Sequence, residues 1–153
     1  MNFNPVESIG FLIRNAGRLL RNRVHHEIRG MGLNYTMEQG SILMRVGLKE
    51  GSTQQELAEF LEKDKTTIAR IVNSMEKSSL IVRVSNKEDK RSKGIYLTQQ
   101  GKEIRASFVQ AIQKTLEEAT QGIAEEDIET TKKVLINIHK NLFQFDDPTS
   151  IRD

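Results

Sequence analysis

Cysteine is absent from the 153 residues. Without a thiol there is no disulfide, no thiolate nucleophile and no cysteine-based redox trigger, and a reducing cytoplasm is the expected setting. Tryptophan is absent as well, and only two prolines occur, which suits a mainly helical chain because proline breaks helix interiors. No apolar run approaches the roughly 20 residues that a membrane-spanning helix needs. Arginines interrupt the apolar pattern at the N-terminus, so a signal peptide is not expected and the mature protein is read as the whole chain. His25 and His26 are neighbours that point to different helix faces, and His139 is the third and last histidine. No metal site is expected from that set. Gly-rich phosphate loops, a nucleophile elbow and catalytic-triad candidates are missing too, so neither an enzyme nor a cofactor is expected.

What the chain has is charge, unevenly placed. Its net charge is only +2, too small by itself to indicate a polyanionic partner. Residues 1–63 carry eight Lys and Arg against seven Asp and Glu, and residues 99–153 carry seven against ten. Residues 64–98 carry eight against four. The positive charge is therefore concentrated in the middle of the chain, where an anion would be met. The length suits one domain, or one domain with an association region.

Taken in order, the spacing predicts a helix over 5–29. Val6, Ile9, Ile13, Leu20 and Val24 form its apolar stripe, Pro5 sits in its first turn, and Gly30 and Gly32 end it. Phe11, Leu12 and Leu19 lie off that stripe. A helix apolar on more than one face points to packing beyond its own domain, with a second subunit as the natural candidate. Arg14, Arg18 and Arg21 line a further face, read either as solvated and salt-bridged or as an anion contact. Thr36 with Gln39, and Thr53 with Glu56, are capping boxes that open helices over 36–47 and from 53. Ile42, Leu43 and Val46 are the buried side of the first. Leu57, Ala58, Phe60 and Leu61 are the expected packing face of the second. Met37, Met44 and Met75 read as core filler.

Asp64 can cap the next helix, expected over 65–79, whose apolar side is Ile68, Ile71, Val72 and Met75. Its other side carries Thr66, Arg70, Asn73 and Lys77, with Lys65, Thr67 and Ser74 beside them and no carboxylate. Hydroxyls, an amide, a guanidinium and ammoniums are the donor set for base edges and phosphates in a major groove; an ordinary polar helix face is the plain alternative. Two β-branched runs follow, Ile81, Val82 and Val84, then Ile95 with Tyr96 and Leu97. Between them Lys87, Lys90, Arg91 and Lys93 face only Glu88 and Asp89. Helix, turn, helix, then a basic hairpin is the layout of a winged helix, and DNA is the matching polyanion. Two amphipathic helices complete the chain, over 99–121 with Ile104, Phe108, Ile112 and Leu116, and over 124–144 with Ile128, Leu135, Ile138 and Leu142. They exceed what a winged helix needs to cover its own core.

The stretch 64–101 resembles the recognition helix, wing and helix start of the MarR family of bacterial transcription regulators, named for multiple antibiotic resistance. The resemblance rests on Asp89, Arg91, Leu97, Thr98 and Gly101 at their spacing behind the helix-turn-helix, and extends more loosely over the whole chain. It implies a fold that is mainly α with a small β-wing, a winged helix-turn-helix flanked by N- and C-terminal dimerisation helices. The expected divisions are 1–33 and 99–145 for dimerisation, 34–98 for DNA binding, and a polar tail over 146–153.

The resemblance also implies roles. Arg91 would enter the minor groove, where narrow A/T-rich segments concentrate negative potential. Asp89 would orient a nearby arginine, and Lys87, Lys90 and Lys93 would meet phosphates. Thr66, Thr67 and Arg70 occupy recognition-helix contact positions, and Thr98 would cap the following helix. The residues alone leave another role open for Asp89 and Arg91, an ion pair that stiffens the hairpin. Gly94 departs from the family pattern, where a larger or basic residue is common, and is expected to loosen the wing. The implied function is a cytoplasmic repressor that binds an inverted repeat of double-stranded DNA as a homodimer. Its recognition helices would lie about 34 Å apart, and a small-molecule effector would change that spacing. The rival reading is a winged-helix protein-interaction module that binds no DNA.

Overall fold

The computed structural model describes residues 4–85 and 92–146. Its first helix begins later than the apolar stripe suggests. Pro5–Glu7 form a separate 3-10 turn, because the Asn4 side chain accepts from the Val6 N–H. Ser8 is extended, and its hydroxyl oxygen caps α1 (Ile9–Gly30) by accepting from the Phe11 N–H. Two competing polar caps thus outweigh the preference of proline for the first helical turn. Next come α2 (Met37–Leu48), α3 (Gln54–Leu61) and α4 (Lys65–Lys77), then strands β1 (Ile81–Ser85) and β2 (Lys93–Leu97). α5 (Gln99–Ala119) and α6 (Glu125–Asp146) complete the described chain. Both capping boxes form, at Thr36–Gln39 and Thr53–Glu56.

Two compact units result, Met1–Leu116 and Glu117–Asp153. In the first, the core is built from Ile42, Leu43, Leu57, Ile68, Val72 and Phe108, with Val24 and Ile28 entering from the end of α1. The stripe of α1 is buried only there. Ile9, Leu12, Ile13 and Leu19 are exposed. Phe60 was expected in the packing face of α3 but is half exposed, its ring under the Arg45 guanidinium at 5.1 Å. An eight-residue helix has only two turns to bury, and Leu57 and Ala58 take those positions. In the second unit, Val134, Leu135, Ile136 and Leu142 of α6 are exposed.

Helices α1, α3 and α4 end on one device, in which the chain turns left-handed and donates back into the last turn. In α4 the Leu80 N–H reaches Met75 O at 2.9 Å and the Ser79 N–H reaches Glu76 O at 3.0 Å. Helix α4 therefore stops two residues before the expected 79. α1 places Gly32 at the turning position, but α3 uses Glu62 (φ 50°) and α4 uses Ser79 (φ 58°). A side chain costs about 1–2 kcal/mol in that conformation. Ser79→Gly should therefore raise stability by about 1 kcal/mol, after the greater freedom of unfolded glycine is deducted. A thermal melt should show the transition about 2–4 °C higher.

The strands pair antiparallel, Ile81 with Leu97, Arg83 with Ile95 and Val84 with Gly94. Ile81, Ile95 and Leu97 face the core, whereas Val82 and Val84 face outward. The free edge of β2 is partly covered, since Gly51 N–H donates to Ile95 O and Ile95 N–H donates to Ser52 O, both at 2.9 Å. This crossing corrects the expectation for Gly94. A Cβ there would lie 3.1 Å from Gly51 Cα and 3.2 Å from Gly51 O, so the missing side chain lets a third segment lie close against the root of the wing instead of loosening it.

Candidate nucleic-acid interface

Helix α4 is anchored by its apolar side and capped at its start. Ile68, Val72 and Met75 are fully buried. Asp64 accepts from the Thr67 N–H at 2.8 Å and from the Thr67 hydroxyl at 2.6 Å. Those bonds, the hydroxyl's first, hold the Asp64 carboxyl below its ordinary value. The Thr67 proton is thus committed to the cap, which leaves its oxygen lone pair and methyl for any partner. Lys65, Thr66, Arg70, Asn73 and Lys77 are all exposed, and none has a side-chain hydrogen bond or ion pair among the described residues. The face is therefore a row of exposed donors with no intramolecular partner among the described residues. Lys93 is also exposed, paired with Ser85 at the loop end of the described ladder. Lys87, Asp89, Lys90 and Arg91 lie outside the described residues, as do residues 147–153.

A clamp that the sequence did not disclose sets where the wing leaves α4. Arg83 Nε donates to Glu76 Oε2 at 3.0 Å, its Nη2 donates to the same oxygen, and its backbone N–H donates to Glu76 Oε1 at 3.2 Å. Nη1 reaches Gln54 Oε1 at 3.4 Å. One arginine thus ties β1 to the end of α4 and the start of α3, and it is not available to a partner. No periodicity marks a pair that spans a helix end and a strand. The side-chain bonds from Arg83 lead the causes that hold the Glu76 carboxyl below its ordinary 4.5, and Lys93 adds its charge. A carboxyl lowered by folding contributes stability above its unfolded value and loses it as pH falls through its folded one. Melting temperatures of the wild type and Glu76→Gln should thus differ by a constant amount above about pH 5.5 and converge on acidification below 4.5.

The far side of the wing joins α5 through Thr98 and Gly101. The Thr98 hydroxyl accepts from the Gly101 N–H at 2.9 Å, capping α5, and donates to Ser79 O at 2.5 Å. Recognition-helix end, wing and α5 are thereby held at one junction.

Between α4 and the start of α2 runs a groove of about 470 Å³, lined by Thr36, Gln39, Lys63, Thr67, Arg70 and Ser74, with Ile71 at its base. Glu38, also on its wall, is paired with Arg21 of α1 at 2.6 Å. The Glu38 carboxyl lies below its ordinary value because of its own backbone N–H first, then Arg21 and Lys63. Lys63 is exposed and was missed in the sequence, where it stands just ahead of the helix and outside its periodicity.

The family model for MarR matches residues 35–93. The solved structure of the transcriptional regulator SlyA is 30% identical, covers 86% of this chain and 93% of its own, and superposes with a TM-score of 0.74. The chain belongs to the MarR family. Another relative is YybA of Bacillus subtilis, an HTH-type transcriptional regulator that is 28% identical over 110 residues, 72% of this chain and 73% of that one. A MarR-family regulator from Listeria monocytogenes, solved with a 26mer DNA, shares the fold at a TM-score of 0.78 and 24% identity, covering 89% of each chain. Among the described residues are the six helices and two-stranded wing of that fold, and Thr98 and Gly101 form the α5 junction just described.

Proposed function

We propose that this MarR-family protein is a repressor that binds an inverted-repeat DNA operator as a homodimer and is released by a small-molecule effector. The observation that carries the reading is the exposed α4 face, where Arg70, Asn73 and Lys77 have no acidic partner among the described residues. Exposed guanidinium and ammonium groups without an acidic partner attract a polyanion, and duplex DNA offers them phosphates and base edges. The DNA held by the Listeria relative supports the same partner. On this reading Lys65, Thr66, Thr67, Arg70, Asn73 and Lys77 enter the major groove, while Lys87, Lys90, Arg91 and Lys93 follow the backbone and minor groove, with Asp89 orienting the wing.

Dimerisation is assigned to residues 1–33 and 99–145, and the exposed Ile9, Leu12 and Leu19 of α1 and Ile136 and Leu142 of α6 support it. A hollow of about 270 Å³ between α1 and α2, walled by Arg21, His25, Met37 and Glu38, has room for a small effector, and the Arg21–Glu38 pair on its wall leaves the charge of that effector open. No helix among the described residues is long and apolar enough to cross a membrane, and a regulator of genes works in the cytoplasm. The direct test selects bound fragments from the source genome and measures their gel shift at several salt concentrations. Affinity should fall steeply with salt. Absence of any salt-dependent duplex binding would return the protein to the interaction-module reading.

A further inference from the structure

We infer that the groove between α2 and α4 seats the sugar-phosphate backbone of DNA, with Lys63 as its phosphate-binding cation. The inference rests on the DNA-binding reading and adds contacts from outside the recognition helix. Lys63 and Arg70 flank the groove, and neither has an ion pair among the described residues. Glu38, the acid on its wall, is neutralised by Arg21 at 2.6 Å, so the groove keeps an uncompensated positive charge.

The chemistry of the lining favours a backbone over a small effector. Pockets for small molecules are lined mostly by apolar and aromatic side chains. Here Thr36, Gln39 and Ser74 present two hydroxyls and an amide, while the Thr67 proton is held by Asp64, and Ile71 is the one apolar residue of the lining. The groove also opens along the side of α4 that carries Arg70 and Ser74. A duplex entered by that helix would therefore lay one strand into it, and about 470 Å³ exceeds what a single phosphate fills.

The test uses the full chain and a fluorescent duplex of about 30 base pairs and mixed sequence, titrated by anisotropy from low to high salt. Each phosphate that the protein ceases to neutralise makes the slope of log affinity against log salt shallower by about 0.9. Lys63→Gln should reduce the slope by that amount per protomer engaged. Lys102→Gln, an exposed cation on α5, should leave it unchanged. Lys63 is exposed, so an unaltered melt is expected for its variant, and a melting control confirms that the fold is kept. A wild type without a salt-dependent slope overturns the DNA-binding reading itself. A normal wild-type slope that Lys63→Gln leaves intact overturns only this inference. So does an intact slope in a variant that inorganic phosphate no longer stabilises, which would make the groove a small-anion site.

Discussion

Arg70→Ala should weaken operator binding by about 30-fold to 10⁴-fold while leaving the melting temperature unchanged. The guanidinium is exposed on α4 and makes no intramolecular bond among the described residues, so its removal takes no support from the fold. A bidentate contact to guanine O6 and N7 is worth about 1–3 kcal/mol. The proposed two-fold dimer would lose two of them, about 2–6 kcal/mol, and each 1.4 kcal/mol is tenfold. The effect should be confined to specific DNA. If Arg70 reads a base, the variant loses discrimination between operator and mixed-sequence duplex and keeps most of its salt slope. If it only meets phosphate, both duplexes weaken alike and the slope drops by about 1. Arg70→Lys should not restore discrimination, since an ammonium lacks the planar fork. Equal operator affinity for wild type and Arg70→Ala would remove α4 as the reading element.

Gly101→Ala should destabilise the protein by about 3 kcal/mol, against the usual direction for that exchange in a helix. Propensity favours alanine over glycine by about 1 kcal/mol in a helix interior. Here the added Cβ would lie 2.0 Å from the Leu80 carbonyl oxygen. That oxygen belongs to the backbone and accepts from the Thr98 N–H at 3.1 Å. It also lies just beyond the left-handed turn at Ser79, with Leu80 itself fully buried. Nothing at that approach is a flexible side-chain end that can swing away, so relief requires α5 to retreat from the α4–wing junction. Overpacking of this kind costs about 1–3 kcal/mol and occasionally more, and weakening of the two Thr98 hydroxyl bonds adds to it. A thermal melt should fall by about 6–12 °C. Because that junction sets the angle of the wing to α4, DNA affinity should fall even at temperatures where the variant is folded. An Ala variant that melts at or above the wild type would show that the close approach does not exist in solution.

Local signals placed most of the winged helix. The capping boxes at Thr36 and Thr53 form as their spacing requires, because a cap is decided within four residues of chain. The stripe Ile68, Val72 and Met75 is buried as its period demands. The failures share a cause. Pro5 did not start α1, since Asn4 and Ser8 offered better caps. Phe60 stayed outside because burial depends on what lies opposite, and the two turns of α3 present Leu57, Ala58 and, half-buried, Leu61 inward. Gly94 looked like a weakness until Gly51 was found against it. Lys63 was hidden because a groove is made by two elements, and it belongs to the periodic pattern of neither.

From its residues alone the chain determined its helix starts, its apolar faces and the concentration of cations over 64–98, since periodicity and capping are short-range and charge is additive along a sequence. Only the folded molecule decided which cations are spent and which are free. Arg83 is consumed by Glu76 across a helix end and a strand, whereas Arg70 and Lys63 open onto one groove. Ion pairs and hydrogen bonds form between groups brought within about 4 Å, and for the Arg83 partners Glu76 and Gln54, 7 and 29 positions away, that distance is a property of packing.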